Sequence, residues 1–327
     1  MKKTSALLIV FLLTAGMIFA GGQKAADGAA TGGAKQLFVA LSEGESPDNP
    51  WRKTQITTIQ EEAAKRGVRL VITDGQNNSA KQVSDVEDLV TQKPDYLLIA
   101  PLEYEASSPA LQAAKEANVP VILLDRDAAG TPGVDFVTVI RADFIWEAQE
   151  SAKEIAKYFN GKEANIVQLT GTPGSSVAID RQKGFEDELK KYPNLHLIAT
   201  QVGNFNRAEA QRTMTNLLQR YGNTIDAVYG HSDEESLGAV QAIKAAGLVP
   251  GKDIQIVGIG GFLDALKGIV SGEIHASIEC SPYFGATTID TKYKLQKGEN
   301  VPTFIMNPGK VYDIANAQRS IDAGEGF

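Results

Sequence analysis

Six places along the chain gather acids, arginines, amides and planar rings at what read as the ends of strands. The plainest is Val-Ile-Leu-Leu-Asp-Arg over 121–126, where four apolar residues follow Pro120 and then meet Asp125 and Arg126. An uninterrupted apolar run of this length suits a strand buried on both faces. Ligands of open α/β sheets bind beyond the carboxyl ends of such strands. The other places are Asn49, Trp51 and Arg52; the Gly/Thr/Pro/Ser turn over 171–176 with Asp180 and Arg181; Asn204, Phe205 and Asn206; His231, Ser232 and Asp233; and Glu279. Carboxylates accept hydrogen bonds from hydroxyls, arginine donates in a fixed planar fork, and flat rings pack on the apolar face of another ring. A neutral polyol held in a closed cleft needs all three, because every buried hydroxyl left unpaired is costly. Taken singly, each residue also has a structural explanation. Asp125 and Arg126 read as a turn with a surface ion pair, Trp51 as core, Arg52 as a solvated helix residue, and Asn204 and Asn206 as turn formers. Their recurrence at one end of the strands argues for a shared site.

The elements that would position them come in two runs. In the first, strands are expected over 37–41, 69–73, 96–100, 121–124 and 136–140. Helices are expected over 51–66, with Ile56, Ile59 and Ala63 on one face, and over 79–92, with Val83, Val86, Leu89 and Val90 inward. A third runs from Ser108 as cap, with Pro109 in the first turn, to Asn118. No element is placed between 141 and 164. The rhythm then restarts, with strands over 165–169, 197–202, 227–229, 254–257 and 275–278 and helices over 177–190, 207–221, 233–246, 262–270 and 282–297. The tail holds a strand near Met306, a strand over 310–312 and a short helix from Ile314. Two runs of alternating strand and helix predict an α/β fold of two similar doubly wound lobes, each on a parallel sheet.

With 327 residues and 43% apolar content, the chain is long enough for two cores. Its net charge of −8 and the lack of a basic stripe argue against a nucleic-acid partner. Lys2 and Lys3, an apolar run over 6–19 and the small Ala20 have the layout of a secretory signal peptide over 1–20. The Gly- and Ala-rich stretch over 21–35 reads as a flexible linker. The single cysteine, Cys280, is far from the cleavage position, so neither a lipoprotein nor an intrachain disulfide is expected.

Enzyme motifs fit poorly. Gly258-Ile259-Gly260-Gly261 follows a strand, but a dinucleotide fingerprint needs glycine where Leu263 stands. The 171–176 turn lacks the Gly-Lys-Ser/Thr of a phosphate loop, and there is no G-x-S-x-G elbow. His196, His231 and His275 have no metal-ligand spacing. No catalytic residue, metal or cofactor is expected.

Several stretches carry a family resemblance: Trp51-Arg52, Thr73-Asp74-Gly75-Gln76, Ile99-Ala100-Pro101 and Leu123-Leu124-Asp125-Arg126 in the first half. In the second half they are Ala178-Ile179-Asp180-Arg181-Gln182-Lys183-Gly184-Phe185, Gly238-Ala239-Val240-Gln241-Ala242-Ile243-Lys244, Gly251-Lys252-Asp253 and Ala276-Ser277-Ile278-Glu279. With these the chain resembles the periplasmic sugar-binding proteins of ABC importers, in the ribose-binding-like group, and most of all the galactofuranose-binding branch. The resemblance implies a type I periplasmic binding protein with a three-segment hinge. One lobe would hold 36–140 plus 281–306, the other 141–280 plus 307–327. It implies a monomeric, periplasmic receptor for one monosaccharide, with an ABC permease and its ATPase as partners. A chemoreceptor or sensor kinase is the alternative partner, and a sugar acid or cyclitol the alternative ligand. Trp51, Arg52, Asp125, Arg126, Arg181 and Phe205 match ligand-contacting positions, and Asn49, His231, Ser232, Gly260 and Glu279 complete the expected ligand-binding set. Two of these depart from the family pattern. Ser232 stands where the family has asparagine, and Gly260 where it has aspartate. His231, Glu279 or Glu43 would then have to compensate. Arg141 replaces a small residue, and the loop over 43–50 is longer than in that branch.

Overall fold

The computed structural model describes residues 36–327; the signal peptide expected over 1–20 and the linker expected over 21–35 lie outside them. The first run of elements is β1 (Phe38–Glu43), α1 (Pro50–Lys65), β2 (Arg69–Asp74), α2 (Ser79–Thr91), β3 (Tyr96–Ala100), α3 (Ser108–Glu116), β4 (Val121–Leu124) and β5 (Thr138–Arg141). The second is α4 (Phe144–Phe159), β6 (Ala164–Thr170), α5 (Ser176–Leu189), β7 (Leu195–Val202), α6 (Arg207–Tyr221), β8 (Ala227–Gly230), α7 (Asp233–Ala245), β9 (Gln255–Gly260), α8 (Leu263–Ser271) and β10 (Ala276–Glu279). Then follow α9 (Gly285–Gln296), β11 (Phe304–Met306), β12 (Val311–Tyr312) and α10 (Ala317–Asp322).

These strands make two six-stranded sheets, ordered β2-β1-β3-β4-β5-β11 and β7-β6-β8-β9-β10-β12. All pairings are parallel except β10 with β12. The two orders are the same doubly wound pattern, in which the strand order reverses beside the first strand and opens a crevice there. The chain crosses between the sheets after β5, after β10 and after β11.

Apolar runs become buried strands for the expected reason. In β4 all four residues are buried, with Ile122 and Leu124 packed among residues of the large core and Val121 and Leu123 toward the smaller cluster that includes Val86, Leu89, Ala110 and Leu111. Successive side chains of a strand point to opposite faces, so helices must cover both.

Three expectations need correction. The helix α4 lies where no element was placed. Asp143 caps it by accepting from Trp146 N–H at 3.0 Å, and Phe144, Ala148, Ala152 and Ile155 form its buried stripe. Ser108 is not the cap of α3: Ser107 holds that position without a side-chain cap bond, and the Ser108 hydroxyl donates to Ala129 O at 2.8 Å. The final helix starts at Ala317 rather than Ile314.

Candidate functional site

Both sheets direct their carboxyl ends toward one cavity. Its lining includes Asn49, Trp51, Arg52, Asp125, Arg126, Arg181, Phe205, Ser232 and Gly260, nine of the residues expected from the sequence. It also includes Glu45, Val177, Ile259, Phe262 and Cys280, which were not expected.

The wall from the first sheet is ionic. Arg126 N–H donates to Leu124 O at 2.7 Å across Asp125, whose φ is +64°. A three-residue turn with a positive φ at its centre is the rare, strained form, and it swings the Asp125 carboxylate toward α1. There Arg52 Nη2 donates to Asp125 Oδ2 at 2.8 Å and lies 3.1 Å from Glu45 Oε2. Arg126 Nη2 reaches the same Glu45 oxygen at 2.7 Å, while its Nη1 donates to Leu102 O at 2.9 Å. Glu45 therefore joins both arginines. Burial opposes its ionisation, but Arg126 and Arg52 outweigh burial and hold it below the usual carboxylate range. Glu43, 3.6 Å from Arg52, behaves differently. It is 1% exposed and neither oxygen has a hydrogen-bond partner. Burial pushes its carboxyl up to about 7, Arg52 opposes this, and Asp125 and Glu45 add to it. Glu43 lies behind Arg52 and does not line the cavity.

The entry turn of α1 supplies the rest of this wall. Asn49 is the cap, accepting from Trp51 N–H at 2.8 Å, and Pro50 takes the first helical position. Trp51 Nε1 donates to Cys280 O at 2.6 Å, fixing the indole against the second crossing segment.

The wall from the second sheet is built on α5 and α7. Arg181 donates from Nε and Nη2 to Glu147 Oε2 at 2.9 and 2.7 Å, and from Nη1 to His231 O at 2.6 Å. Glu147 comes from α4, so the sequence reading, which had no helix there, missed it. Burial pushes its carboxyl up to about 7 against the pull of Arg181. Ser232 caps α7 in a capping box with Glu235. Glu235 accepts from the N–H groups of Ser232 at 2.7 Å and Phe205 at 3.0 Å, so one buried carboxyl, raised to about 8 by burial, sets two lining residues. Phe205 packs over Gly171, where an added Cβ would meet the ring at 1.9 Å.

Two expected residues stand elsewhere. His231 is fully buried beneath the wall. Gly171 N–H donates to its Nδ1 at 3.3 Å, and its Nε2 meets the Gln168 side-chain amide at 2.7 Å. Burial and then Arg181 push it well below the ordinary histidine range, so it is neutral. Its main-chain oxygen holds Arg181; its ring does not reach the cavity. The Glu279 carboxyl lies beside Lys310 and Tyr312 and is raised by burial. Neither they nor Glu43 line the cavity where Gly260 lacks a carboxylate. Phe262 does: a Cβ on Gly260 would stand 2.5 Å from its ring. Arg141, the other departure, pairs with Asp127 at 2.8 Å beside the first crossing.

The lobes touch across the cleft. Asn49 Nδ2 donates to Phe205 O at 3.3 Å, Tyr104 N–H to Gly174 O at 2.9 Å, and Asp127 N–H to Ser176 Oγ at 2.9 Å. The cavity is thus closed by contacts that a hinge motion would break. Burial keeps the Cys280 thiol well above its ordinary range, so it offers no thiolate nucleophile.

Known proteins are similar to this chain in sequence and fold. A family model for a periplasmic binding protein domain matches residues 44–300. The galactofuranose-binding protein YtfQ of Escherichia coli (strain K12) is 38% identical over 271 residues, covering 82% of this chain and 85% of the relative. The crystal structure of a galactofuranose binding protein superposes with a TM-score of 0.85 at 34% identity, covering 88% of this chain and 98% of that one. The periplasmic binding protein component of the arabinose ABC transporter from Shewanella sp. ANA-3, bound to α- and β-L-arabinofuranose, superposes with a TM-score of 0.83 at 34% identity, covering 88% and 95%.

Proposed function

The chain belongs to the periplasmic binding protein family, and from that premise we propose that it captures one neutral monosaccharide between its lobes and delivers it to an ABC permease and its ATPase. The lobes are 36–140 with 281–306 and 141–280 with 307–327, and the three crossings serve as hinge. The leader over 1–20 directs the chain to the periplasm. The sugar stabilises the closed form by touching both lobes at once, since a ligand shifts such an equilibrium only by its differential affinity.

One observation carries the reading: every arginine lining the cavity already has a carboxylate partner. Arg52 has Asp125 and Glu45, Arg126 has Glu45, and Arg181 has Glu147. Compensated charges of this kind offer hydroxyls strong donors and acceptors without demanding a charged ligand. A sugar acid would bring a carboxylate to a site with no free cation for it, so a neutral sugar is favoured. Asp125, whose Oδ2 is held by Arg52, accepts from a sugar hydroxyl with Oδ1. Arg52, Arg126 and Arg181 donate with their remaining N–H groups, Asn49 and Ser232 add neutral polar contacts, and Trp51 and Phe205 cover the ring. Transfer of occupancy to a membrane sensor would use the same site.

A thermal-shift panel of monosaccharides, sugar acids and cyclitols tests the function. A neutral sugar at ~100 times its dissociation constant stabilises the protein by roughly 2.7 kcal/mol, a clear rise in melting temperature. A panel in which sugar acids alone raise it, or nothing does, contradicts the reading.

A further inference from the structure

The two walls of the cavity differ in what they leave unbonded, and the difference bears on the ligand's shape. At the end of β9 and in the turn behind it, one carbonyl and two N–H groups of the backbone are already paired. Gly260 O accepts from Cys280 N–H at 3.1 Å, and the N–H groups of Gly261 and Phe262 donate to Asp233 Oδ2 at 2.8 and 3.0 Å. Asp233 is fully buried, also accepts from Ser277 Oγ, and does not line the cavity. Beside Gly260 this wall presents Ile259 and Phe262, while its polar side chains, Arg181 and Ser232, come from α5 and the start of α7; the Phe262 ring leaves no space for a side chain at Gly260. The opposite wall presents Glu45, Asn49, Arg52, Asp125 and Arg126.

Resting on the monosaccharide reading, we propose that the ligand is a 6-deoxyhexose whose exocyclic methyl group lies against Ile259 and Phe262 while its ring hydroxyls face the ionic wall. A hydroxymethyl group in the same place gives up its hydrogen bonds to water and finds none from the Ile259 and Phe262 side chains, whereas a methyl group gains apolar contact. An unpaired buried hydroxyl of this kind weakens binding on the order of tenfold to a hundredfold.

The test is titration calorimetry on the unaltered protein with matched pairs that differ only in CH2OH against CH3: D-galactose and D-fucose, L-galactose and L-fucose, D-glucose and 6-deoxy-D-glucose, L-mannose and L-rhamnose. In whichever configuration binds, the methyl member is expected to bind at least about tenfold more tightly. A smaller preference, or a preference for the hydroxymethyl member, overturns the inference and leaves the monosaccharide reading standing. Binding of no member of any pair, together with a neutral sugar that binds in the wider thermal-shift panel, also overturns the inference alone. Silence in both experiments overturns the two together.

Discussion

The acids that follow the strands of the first-lobe and second-lobe walls are used in opposite ways, although the second wall also carries one arginine–carboxylate pair, Arg181 with Glu147. On the first, Glu45 and Asp125 meet arginine side chains at the cavity surface. On the second, Asp233 and Glu235 turn inward and bind backbone N–H groups. The cause is where each acid falls relative to a helix. Asp233 and Glu235 occupy the first turn of α7, where free N–H groups and the helix dipole favour a carboxylate. Asp125 follows β4 in a three-residue turn with no helix starting behind it, so its carboxylate finds Arg52 instead. A charged wall grips hydroxyls, and a wall whose acids are spent on its own backbone closes over the ligand and sets its shape.

The largest effect expected from this contrast is at Arg126. Arg126→Ala removes a donor to the ligand and leaves Glu45 with one arginine, a loss of about 2–5 kcal/mol in binding. Calorimetry should show affinity at least about thirtyfold weaker, with unfolding still cooperative. Retained affinity would mean that the ionic wall is structural and that the contrast is misread.

A smaller effect sharpens the ionic wall's inner layer. Glu43 is raised to about 7 in the folded chain, chiefly by burial, from an ordinary 4.5. The folded state then binds more protons than the unfolded state between those values, so the stability due to the protonated carboxyl is full below about 4.5 and is lost as pH rises through about 7. Glu43→Gln mimics the protonated form at every pH. Relative to the native chain it should therefore gain about 2 kcal/mol of stability between pH 5 and pH 8, read from melts of the two proteins in parallel. A constant difference across that range would show that Glu43 does not titrate there.

Much of the fold was legible because both signals that specify it are local. Apolar runs such as 121–124 and helical stripes such as Val83, Val86 and Leu89 announce themselves within a few residues, and their alternation implied two parallel sheets. The stripe of α4 was equally present in Phe144, Ala148, Ala152 and Ile155, with Asp143 as its cap, but went unread, and Glu147 was lost with it. Lining residues at strand ends were found by position. Glu45 was not, since it lies in the loop after β1 and its role depends on Arg52 and Arg126 meeting from two different elements. His231 failed for the converse reason: its place in sequence is at a strand end, yet its ring turns under the loop to Gly171. Side-chain direction at a turn is set by tertiary partners, which spacing does not record.

The most direct test of a sugar gripped by the first lobe and enclosed by the second is a crystal structure of the chain with a bound monosaccharide. The account predicts one sugar between the lobes, with ring hydroxyls within hydrogen-bond distance of Asp125 Oδ1 and of Arg126, and an apolar edge against Phe262. A sugar held on the outer rim, with Asp125 and Arg126 bonded only to protein, would contradict it.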